Sequence, residues 1–219
     1  MIILAPSMLS ADFKILGEEL KATEDNGATY IHYDVMDGMF VPSLSFGPGI
    51  LQSIRPASNM VHDVHLMIEE PIRYIEAFAK ASADIITVHI EACKDLDATI
   101  AKIKECGCKV GVSVKPATPV SALKPYLDKI DMILIMSVEP GFGGQKFIPT
   151  SLAKIEEARA MVNESGLNID IQVDGGIYTH NVEDVLKAGA NIIVAGSAVY
   201  NGDTVANTKA MMEILKKYE

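Results

Sequence analysis

The sequence predicts a single (β/α)₈ barrel domain over residues 1–219. Two observations carry this prediction: eight short β-rich runs alternate with helix-periodic segments, and no linker or low-complexity stretch interrupts the series. Strands that alternate with helices favour a parallel sheet, because parallel neighbours need crossover connections. The length of 219 residues lies near the lower end of the range for such a barrel. An open doubly wound parallel sheet is the alternative architecture.

The eight predicted strands are short and rich in aliphatic residues. They are Ile2–Met8, Tyr30–Val35, Val61–Met67, Ile85–His89, Lys109–Val114, Met132–Ser137, Ile169–Val173 and Ile192–Ala195.

The segments between these strands carry apolar residues at helical spacing, such as Phe13, Leu16 and Leu20 before the second strand. Pro71 suits a first helical turn. Glycines stand where the C-terminal caps of helices are expected, just ahead of the next strand, at Gly27, Gly107, Gly166 and Gly189.

Charge and hydropathy exclude several classes of partner. Acidic residues outnumber basic ones by 29 to 19, giving a net charge of −10. A general nucleic-acid or anionic-membrane binder needs a basic face, which this sequence lacks. No apolar run approaches the roughly 18 residues of a membrane span. We therefore expect a cytoplasmic protein with neither nucleic acid nor membrane as a partner, and its three cysteines predict no disulfide framework.

Four potential metal ligands lie near the carboxyl ends of the second, third and seventh strands. His32 and Asp34 are two residues apart and share one strand face, while His65 and Asp174 lie near the ends of their own strands. In a closed barrel these side chains can converge. Two imidazoles and two carboxylates suit Zn²⁺, Fe²⁺, Mn²⁺ or Co²⁺. Spacing alone leaves open separate roles, a hydrogen-bonded core histidine and a carboxylate that caps a turn.

The strand positions of two further polar residues also predict roles for them. Asp63 shares the face of His65 one pleat deeper, so we expect it to orient a ligand histidine. His89 ends the fourth strand, where a role behind the ligands or in packing is expected.

Three glycine clusters follow the last three strands: Gly141-Phe142-Gly143-Gly144, Gly175-Gly176 and Gly196-Ser197. Barrels often bind phosphate in the loops after strands seven and eight, through backbone N–H groups and a helix N-terminus. Tight turns without a ligand are the alternative. Three clusters at consecutive strand ends favour a phosphate site.

Methionines also stand at the strand ends, at Met36, Met67 and Met136. Methionine usually fills gaps in a core. These three either pack the top of the barrel or line a substrate pocket.

Five segments closely resemble the signature segments of the ribulose-phosphate 3-epimerase family, in the family's order and between about residues 3 and 200. They are Ala5–Phe13 (APSMLSADF), His32–Gly38 (HYDVMDG), Asp63–Met67 (DVHLM), Pro140–Gln145 (PGFGGQ) and Val173–Gly176 (VDGG).

The resemblance implies a TIM barrel of the ribulose-phosphate-binding type. It implies an isomerase of the pentose phosphate pathway that interconverts D-ribulose 5-phosphate and D-xylulose 5-phosphate. One divalent metal ion per subunit is implied, held by His32, Asp34, His65 and Asp174, with Asp34 as proton acceptor and Asp174 as proton donor. Family members are often oligomeric, so a homo-oligomer is expected. The implied substrate contacts are Ser7, His65, Gly141, Phe142, Gly143, Gly144, Asp174, Gly175, Gly176, Gly196 and Ser197.

The implied chemistry explains why two carboxylates and a cation are needed. Inversion at C3 removes a proton next to the C2 carbonyl and returns one on the opposite face. A carboxylate whose conjugate acid has a pKa of about 3.9 is too weak a base for this step unless the enediolate is stabilised. Two carboxylates on separated strands can act from opposite faces. We therefore expect the pKa values of Asp34 and Asp174 to be split.

Two positions depart from the family pattern. Lys115 stands where Asn is common, and Met39 replaces a frequent His. They leave open a second substrate, since allulose-6-phosphate 3-epimerase has the same layout and acts on a six-carbon sugar. A catalytically silent phosphosugar-binding barrel is a further alternative, against which the presence of both Asp34 and Asp174 argues.

Overall fold

A computed structural model describes residues 1–219 and contains one parallel eight-stranded sheet. The sheet order is β1-β8-β7-β6-β5-β4-β3-β2. A bridge between Ser7 and His32 brings the two edge strands together, so the sheet curls into a TIM barrel, as predicted. Every predicted run overlaps one strand. The strands are β1 Ile3–Pro6, β2 Tyr30–Met36, β3 Val61–Met67, β4 Ile85–His89, β5 Lys109–Val114, β6 Met132–Met136, β7 Asp170–Asp174 and β8 Ile192–Ala195.

Helices connect the strands on the outside of the barrel. The α-helices are α1 Leu16–Asp25, α2 Pro48–Ile54, α3 Ile75–Lys80, α4 Leu96–Glu105, α5 Ser151–Ser165, α6 Val182–Lys187, α7 Ser197–Tyr200 and α8 Thr204–Leu215.

The connection between β5 and β6 departs from the regular βα pattern, because it is a 3₁₀ helix over Val120–Lys129. Pro125 lies inside this segment. Proline has no backbone N–H to donate and its ring crowds the preceding turn, so an α-helix is disfavoured there.

Two packing layers hold the barrel together. The larger core lies between the strands and the surrounding helices. A smaller apolar cluster, formed by Ile3, Ala5, Ile85, Met132, Ile192 and Val194, lies on the inner face of the strands.

Strand β2 shows how the sequence divides its side chains between these layers. Successive residues of a strand point to opposite faces. Tyr33 is fully buried among the outer elements, where its ring lies 4.7 Å from that of Phe46 and its hydroxyl donates to the carbonyl of Gly47 at 2.7 Å. His32 and Asp34 face the interior. The outward residues therefore anchor the strand and leave the inward ones for chemistry.

The remaining expectations on topology concern membranes and disulfides. No helix combines the length and the hydropathy that crossing a membrane requires. Cys93, Cys106 and Cys108 are free thiols.

Candidate active site

The structure brings the four predicted metal ligands together at the carboxyl end of the barrel. In the register of β2 and β3, His32 lies opposite Asp63 and Asp34 lies opposite His65. Asp174 reaches the same point from β7. One potential ligand atom from each of His32, Asp34, His65 and Asp174 lies within 4.8 Å of those of the other three. We call these four residues the ligand cluster.

Hydrogen bonds orient the ring of His32. Its Nδ1 lies 2.7 Å from Oδ2 of Asp63, which also accepts from the side-chain amide of Gln172 at 2.5 Å. Its Nε2 is thereby turned into the cluster, 3.3 Å from Oδ1 of Asp34. Asp63 therefore orients the ring of His32, which is a predicted metal ligand.

His65 is oriented from its other side. Its Nδ1 faces the cluster, 3.2 Å from Oδ1 of Asp34, and its Nε2 lies 2.9 Å from Nε2 of His89. Nδ1 of His89 in turn lies 3.3 Å from Oε2 of Glu91. His89 therefore lies directly behind His65, a predicted ligand, in agreement with the expected position. Glu91 was not singled out from the sequence.

The chemistry of the donor set fits a divalent cation. The cluster offers two imidazole nitrogens and two carboxylates, the combination that first-row divalent metals accept. Both histidines are fully buried and Asp34 is nearly so, which keeps competing water away. Asp63 behind His32 supplies the outer carboxylate that commonly accompanies a ligand histidine.

The two carboxylates of the cluster differ in protonation. Burial opposes ionisation of Asp34, but the neighbouring His32 and His65 outweigh it and hold the pKa of Asp34 well below its usual range. For Asp174, burial and the charge of Asp34 raise the pKa to about 7. The predicted split is therefore present. Near neutral pH Asp34 is ionised while Asp174 can hold a proton.

The contact between His32 and Asp34 shifts the pKa values of both groups, in opposite directions. Burial alone would lower the pKa of His32, yet the carboxylates of Asp34 and Asp63 raise it well above its usual value. These two carboxylates therefore favour the protonated, cationic form of His32. A bound cation would take over that positive charge, with release of the imidazole proton.

A pocket opens at the mouth of the barrel over the cluster. His32 and His65 do not line this pocket and are fully buried. Nearly all other predicted site residues do line it: Ser7, Asp34, Met36, Met67, Met136, Gly141, Phe142, Gly143, Gly144, Asp174, Gly175, Gly176, Gly196 and Ser197.

Ser7 connects β1 to this site. Its hydroxyl donates to Oδ2 of Asp34 at 2.5 Å. Asp34 thus receives a hydrogen bond on the oxygen that the histidines do not contact, which favours its ionised form.

The three methionines combine both of their expected roles. Met36 and Met67 are register partners at the ends of β2 and β3, and Met136 ends β6. All three are buried and all three line the pocket. Met36 and Met67 pack with Val41, whereas Met136 packs with Leu134 and Val138, so the methionines add two apolar patches to the pocket lining.

The glycine loops leave backbone donors free in the lining of the pocket. Gly176 has a φ of +66°, and a Cβ there would overlap the backbone nitrogen of Phe147 and lie 2.8 Å from the carbonyl oxygen of Gln145. Only glycine allows this close contact between the loops after β6 and β7. The N–H groups of Gly176, Gly196 and Ser197 make no hydrogen bond within the chain.

Some lining residues were missed from the sequence, among them Gln145 and Tyr178. Gln145 ends the PGFGGQ segment, and its amide donates to the carbonyls of Glu139 and Phe142 at 2.6 and 2.9 Å, which holds the loop in shape. The hydroxyl of Tyr178 lies 2.8 Å from Oγ of Ser197 and joins the loops after β7 and β8. Gln145 could have been found from its motif, whereas nothing local marks Tyr178.

Comparison with known proteins agrees with this geometry. The model of the ribulose-phosphate 3 epimerase family matches residues 3–200. The chain belongs to this family. Membership in the epimerase family makes it an enzyme of the isomerase class.

Curated relatives in the epimerase family are similar over almost the whole chain. The ribulose-phosphate 3-epimerase of Bacillus subtilis is 53% identical over 215 residues, which cover 98% of each chain. That of Synechocystis is 52% identical over 220 residues, covering 100% of this chain and 96% of the relative. That of Escherichia coli K12 is 48% identical over 200 residues, covering 91% and 89%.

Solved structures show that the barrel is shared more widely. KGPDC from Streptococcus mutans is 13% identical with a TM-score of 0.74, covering 100% of this chain and 99% of the other. Phosphoribosyl anthranilate isomerase from Thermus thermophilus is 15% identical with a TM-score of 0.69, covering 100% of both chains. At this identity the likeness concerns the fold alone.

Proposed function

We propose that the chain interconverts D-ribulose 5-phosphate and D-xylulose 5-phosphate by inversion at C3, using one divalent metal ion. The observation that carries the proposal is the ligand cluster at a pocket that glycine loops also line. This arrangement provides polar groups for a ketose and backbone donors for a phosphate. The names of the relatives agree with it.

The phosphate end of the substrate is expected at the loops after β7 and β8. The free N–H groups of Gly176, Gly196 and Ser197 support this placement. The overall charge of −10 does not attract a dianion. Binding through local N–H dipoles needs no lysine or arginine and therefore suits an acidic protein.

His32, Asp34, His65 and Asp174 are the residues that would hold the metal ion. When bound, a divalent cation would supply Lewis acidity, which lowers the free energy of the negative charge that develops on the oxygens of the ketose. Asp63 and His89 contribute indirectly, because they orient the two histidines.

The two carboxylates carry the proton transfers. Ionised Asp34 accepts the proton from C3 of D-ribulose 5-phosphate, and the electron pair of the broken C–H bond moves into the enediolate. Protonated Asp174 then donates its proton to C3 from the other face, giving D-xylulose 5-phosphate. The opposite pKa shifts of Asp34 and Asp174 support these starting states. After one turnover their protonation states are exchanged, which prepares the pair for the reverse reaction.

The positions of the two family departures support the five-carbon substrate. Neither Lys115 nor Met39 lines the pocket. Nζ of Lys115 lies 3.8 Å from the ring centre of Phe40, and the Met39 side chain is largely exposed to solvent. Substitutions outside the lining give no reason to expect a six-carbon sugar.

A direct assay tests the proposal. Metal-loaded protein is incubated separately with D-ribulose 5-phosphate and D-allulose 6-phosphate, and the epimeric products are quantified. We expect a larger kcat/KM with the pentulose. A larger value with the hexulose would favour allulose-6-phosphate 3-epimerase, and turnover of neither sugar would favour the silent phosphosugar-binding barrel.

A further inference from the structure

Glu91 lies behind the ligand cluster, on the 3₁₀ turn Ile90–Ala92 that follows β4. Its side chain is 22% exposed, and its Oε2 lies 3.3 Å from Nδ1 of His89. Nε2 of His89 lies 2.9 Å from Nε2 of His65. A continuous series of side chains, the Glu91–His89–His65 series, therefore runs from the edge of the barrel to a metal ligand.

We propose that Glu91 is a positioning residue that fixes the tautomer of His65 through His89, so that Nδ1 of His65 presents its lone pair to the cation. The proposal rests on the metal site of the proposed function.

The tautomers along the series follow from counting protons. A neutral imidazole carries one N–H, and the nitrogen that binds a metal must be the unprotonated one. Nδ1 of His65 faces the cluster, so its proton must lie on Nε2 and be donated to Nε2 of His89. His89 then carries its own proton on Nδ1, where Glu91 accepts it. Each step leaves one donor facing one acceptor.

Asp34 makes such control necessary. Its Oδ1 lies 3.2 Å from Nδ1 of His65, so a hydrogen bond between these two atoms would place the proton on that nitrogen. Protonated Nδ1 could not bind the cation. A proton on Nδ1 of His65 would also leave Nε2 of His65 as an acceptor, so His89 would have to donate from its own Nε2. Nδ1 of His89 would then carry no proton and would face the Glu91 carboxylate, where two acceptors oppose each other. Glu91 thereby opposes the wrong tautomer.

Glu91 suits this role because it can only accept hydrogen bonds. Burial works against its ionisation, but hydrogen bonds, led by that of His89, lower the pKa of Glu91 to about 2. The backbone N–H of Lys115 donates to its other oxygen, Oε1, at 2.8 Å. The loop that supplies this N–H is itself held by Nζ of Lys154, which donates to the carbonyls of Lys115 and Thr118 at 2.7 Å each.

An aromatic ring covers His89 and keeps water away from it. The ring of Phe40 lies 4.9 Å from that of His89, and His89 is fully buried. Nζ of Lys115 lies on the Phe40 ring. Water would offer His89 alternative donors and acceptors, so its exclusion leaves Glu91 in control of the tautomer.

Both ligand histidines thus have a carboxylate behind them. Asp63 contacts His32 directly, whereas Glu91 acts on His65 through one intervening imidazole. Only the Glu91–His89–His65 series contains a second imidazole whose tautomer can change. A substitution of Glu91 can therefore reverse the tautomer of His65.

The decisive variant is Glu91→Gln, which has nearly the same shape. A glutamine has one acceptor oxygen, so it cannot accept from both Lys115 and His89. With its oxygen on the Lys115 N–H, its NH₂ group faces His89 and favours the reversed tautomers.

Two measurements read the outcome. Two-bond ¹⁵N–¹H spectra of the metal-free protein report the His65 tautomer, and calorimetric titration with Zn²⁺ or Mn²⁺ reports affinity. We expect Nε2–H in the wild type, Nδ1–H in Glu91→Gln, and an affinity lower by about 10- to 100-fold in the variant.

Control variants separate this role from charge and from folding. Glu69→Gln removes the same charge from an exposed position on the same rim and should leave both readouts unchanged. His89→Gln places an amide oxygen behind His65, and this acceptor does not depend on a second tautomer. Adding Glu91→Gln to the His89→Gln variant should therefore lower the metal affinity only slightly.

Either of two results would overturn the role of Glu91: Nδ1–H on His65 in the wild type, or a Glu91→Gln variant with an unaltered tautomer and an affinity within twofold of wild type. Wild-type protein that has the expected tautomer but binds no divalent cation would instead overturn the metal site of the proposed function.

Discussion

Nδ1 of His32 and Oδ2 of Asp63 lie 2.7 Å apart, between register partners on β2 and β3, and both side chains are fully buried. This contact settles which nitrogen of His32 faces the cluster. It also places a carboxylate behind a proposed ligand, which raises the basicity of the imidazole.

Asp63→Asn should therefore weaken metal binding without unfolding the barrel. An asparagine oxygen still accepts from His32 but carries no charge, so we expect the affinity to fall by about 10- to 100-fold in a calorimetric titration. The exposed variant Asp97→Asn, which removes a surface carboxylate paired with Lys129, serves as the control. An Asp63→Asn protein with wild-type affinity would argue against any role of Asp63 in the metal site.

Gly176→Ala should damage substrate binding while sparing the metal site. The added Cβ would push against the backbone of Phe147 and Gln145 and shift the loops that surround the proposed phosphate position. We expect KM to rise about tenfold or more, with metal affinity unchanged. Gly202→Ala is the matched control, because Gly202 also has a positive φ, of +87°, but has nothing within 4 Å of its Cβ position. Equal effects of both substitutions would mean that backbone strain alone is responsible.

Lys115→Asn should leave the choice of substrate unchanged. The Lys115 side chain lies over Phe40 and outside the pocket, so restoring the residue common in the family alters no contact with the sugar. The ratio of kcat/KM for D-ribulose 5-phosphate and D-allulose 6-phosphate should stay within about twofold of wild type. A reversal of that ratio would place Lys115 among the residues that determine specificity.

His62 should make the protein less stable in acid. Its side chain is fully buried, and neither ring nitrogen has a hydrogen-bond partner. Burial lowers the pKa of His62 to about 4; the charge of Arg55 adds to this effect and the charge of Asp84 opposes it. Below pH 6.5 the unfolded chain binds a proton on His62 that the folded chain does not. Its contribution to stability is therefore intact above pH 6.5 and is lost as the pH falls to about 4.

His62→Leu should reduce this acid sensitivity. We expect the free energy of unfolding to fall less between pH 6.5 and 4 in the variant than in wild type, by on the order of 3 kcal/mol. Urea titrations of the metal-free proteins at several pH values measure the difference. His180→Leu, at an exposed position, is the control. Parallel pH curves for wild type and His62→Leu would show that His62 takes up its proton in the folded state.

The sequence was sufficient to predict the barrel, because strand runs and helical periodicity are local signals. It was also sufficient for the ligand cluster, since parallel strands bring the ends of β2, β3 and β7 to one mouth. The 3₁₀ helix Val120–Lys129 was not distinguished, although Pro125 within it disfavours an α-helix.

Contacts that depend on the shapes of turns could not be predicted from the sequence. Glu91 reaches His89 only because a 3₁₀ turn after β4 folds its side chain back toward the strand. Tyr178 meets Ser197 across two loops whose shapes no local pattern specifies. Strand alternation predicts the direction of a side chain, whereas loop geometry depends on packing among distant segments.

Isotope exchange tests the proposed two-carboxylate mechanism most directly. Metal-loaded protein is incubated with D-ribulose 5-phosphate in D₂O, and the same measurement is made after metal stripping and on Asp174→Asn. We expect D-xylulose 5-phosphate with deuterium at C3 from the wild type, and no such product after stripping or from the variant. Recovery of only unlabelled D-ribulose 5-phosphate from fully metallated wild-type protein would contradict the proposed epimerisation.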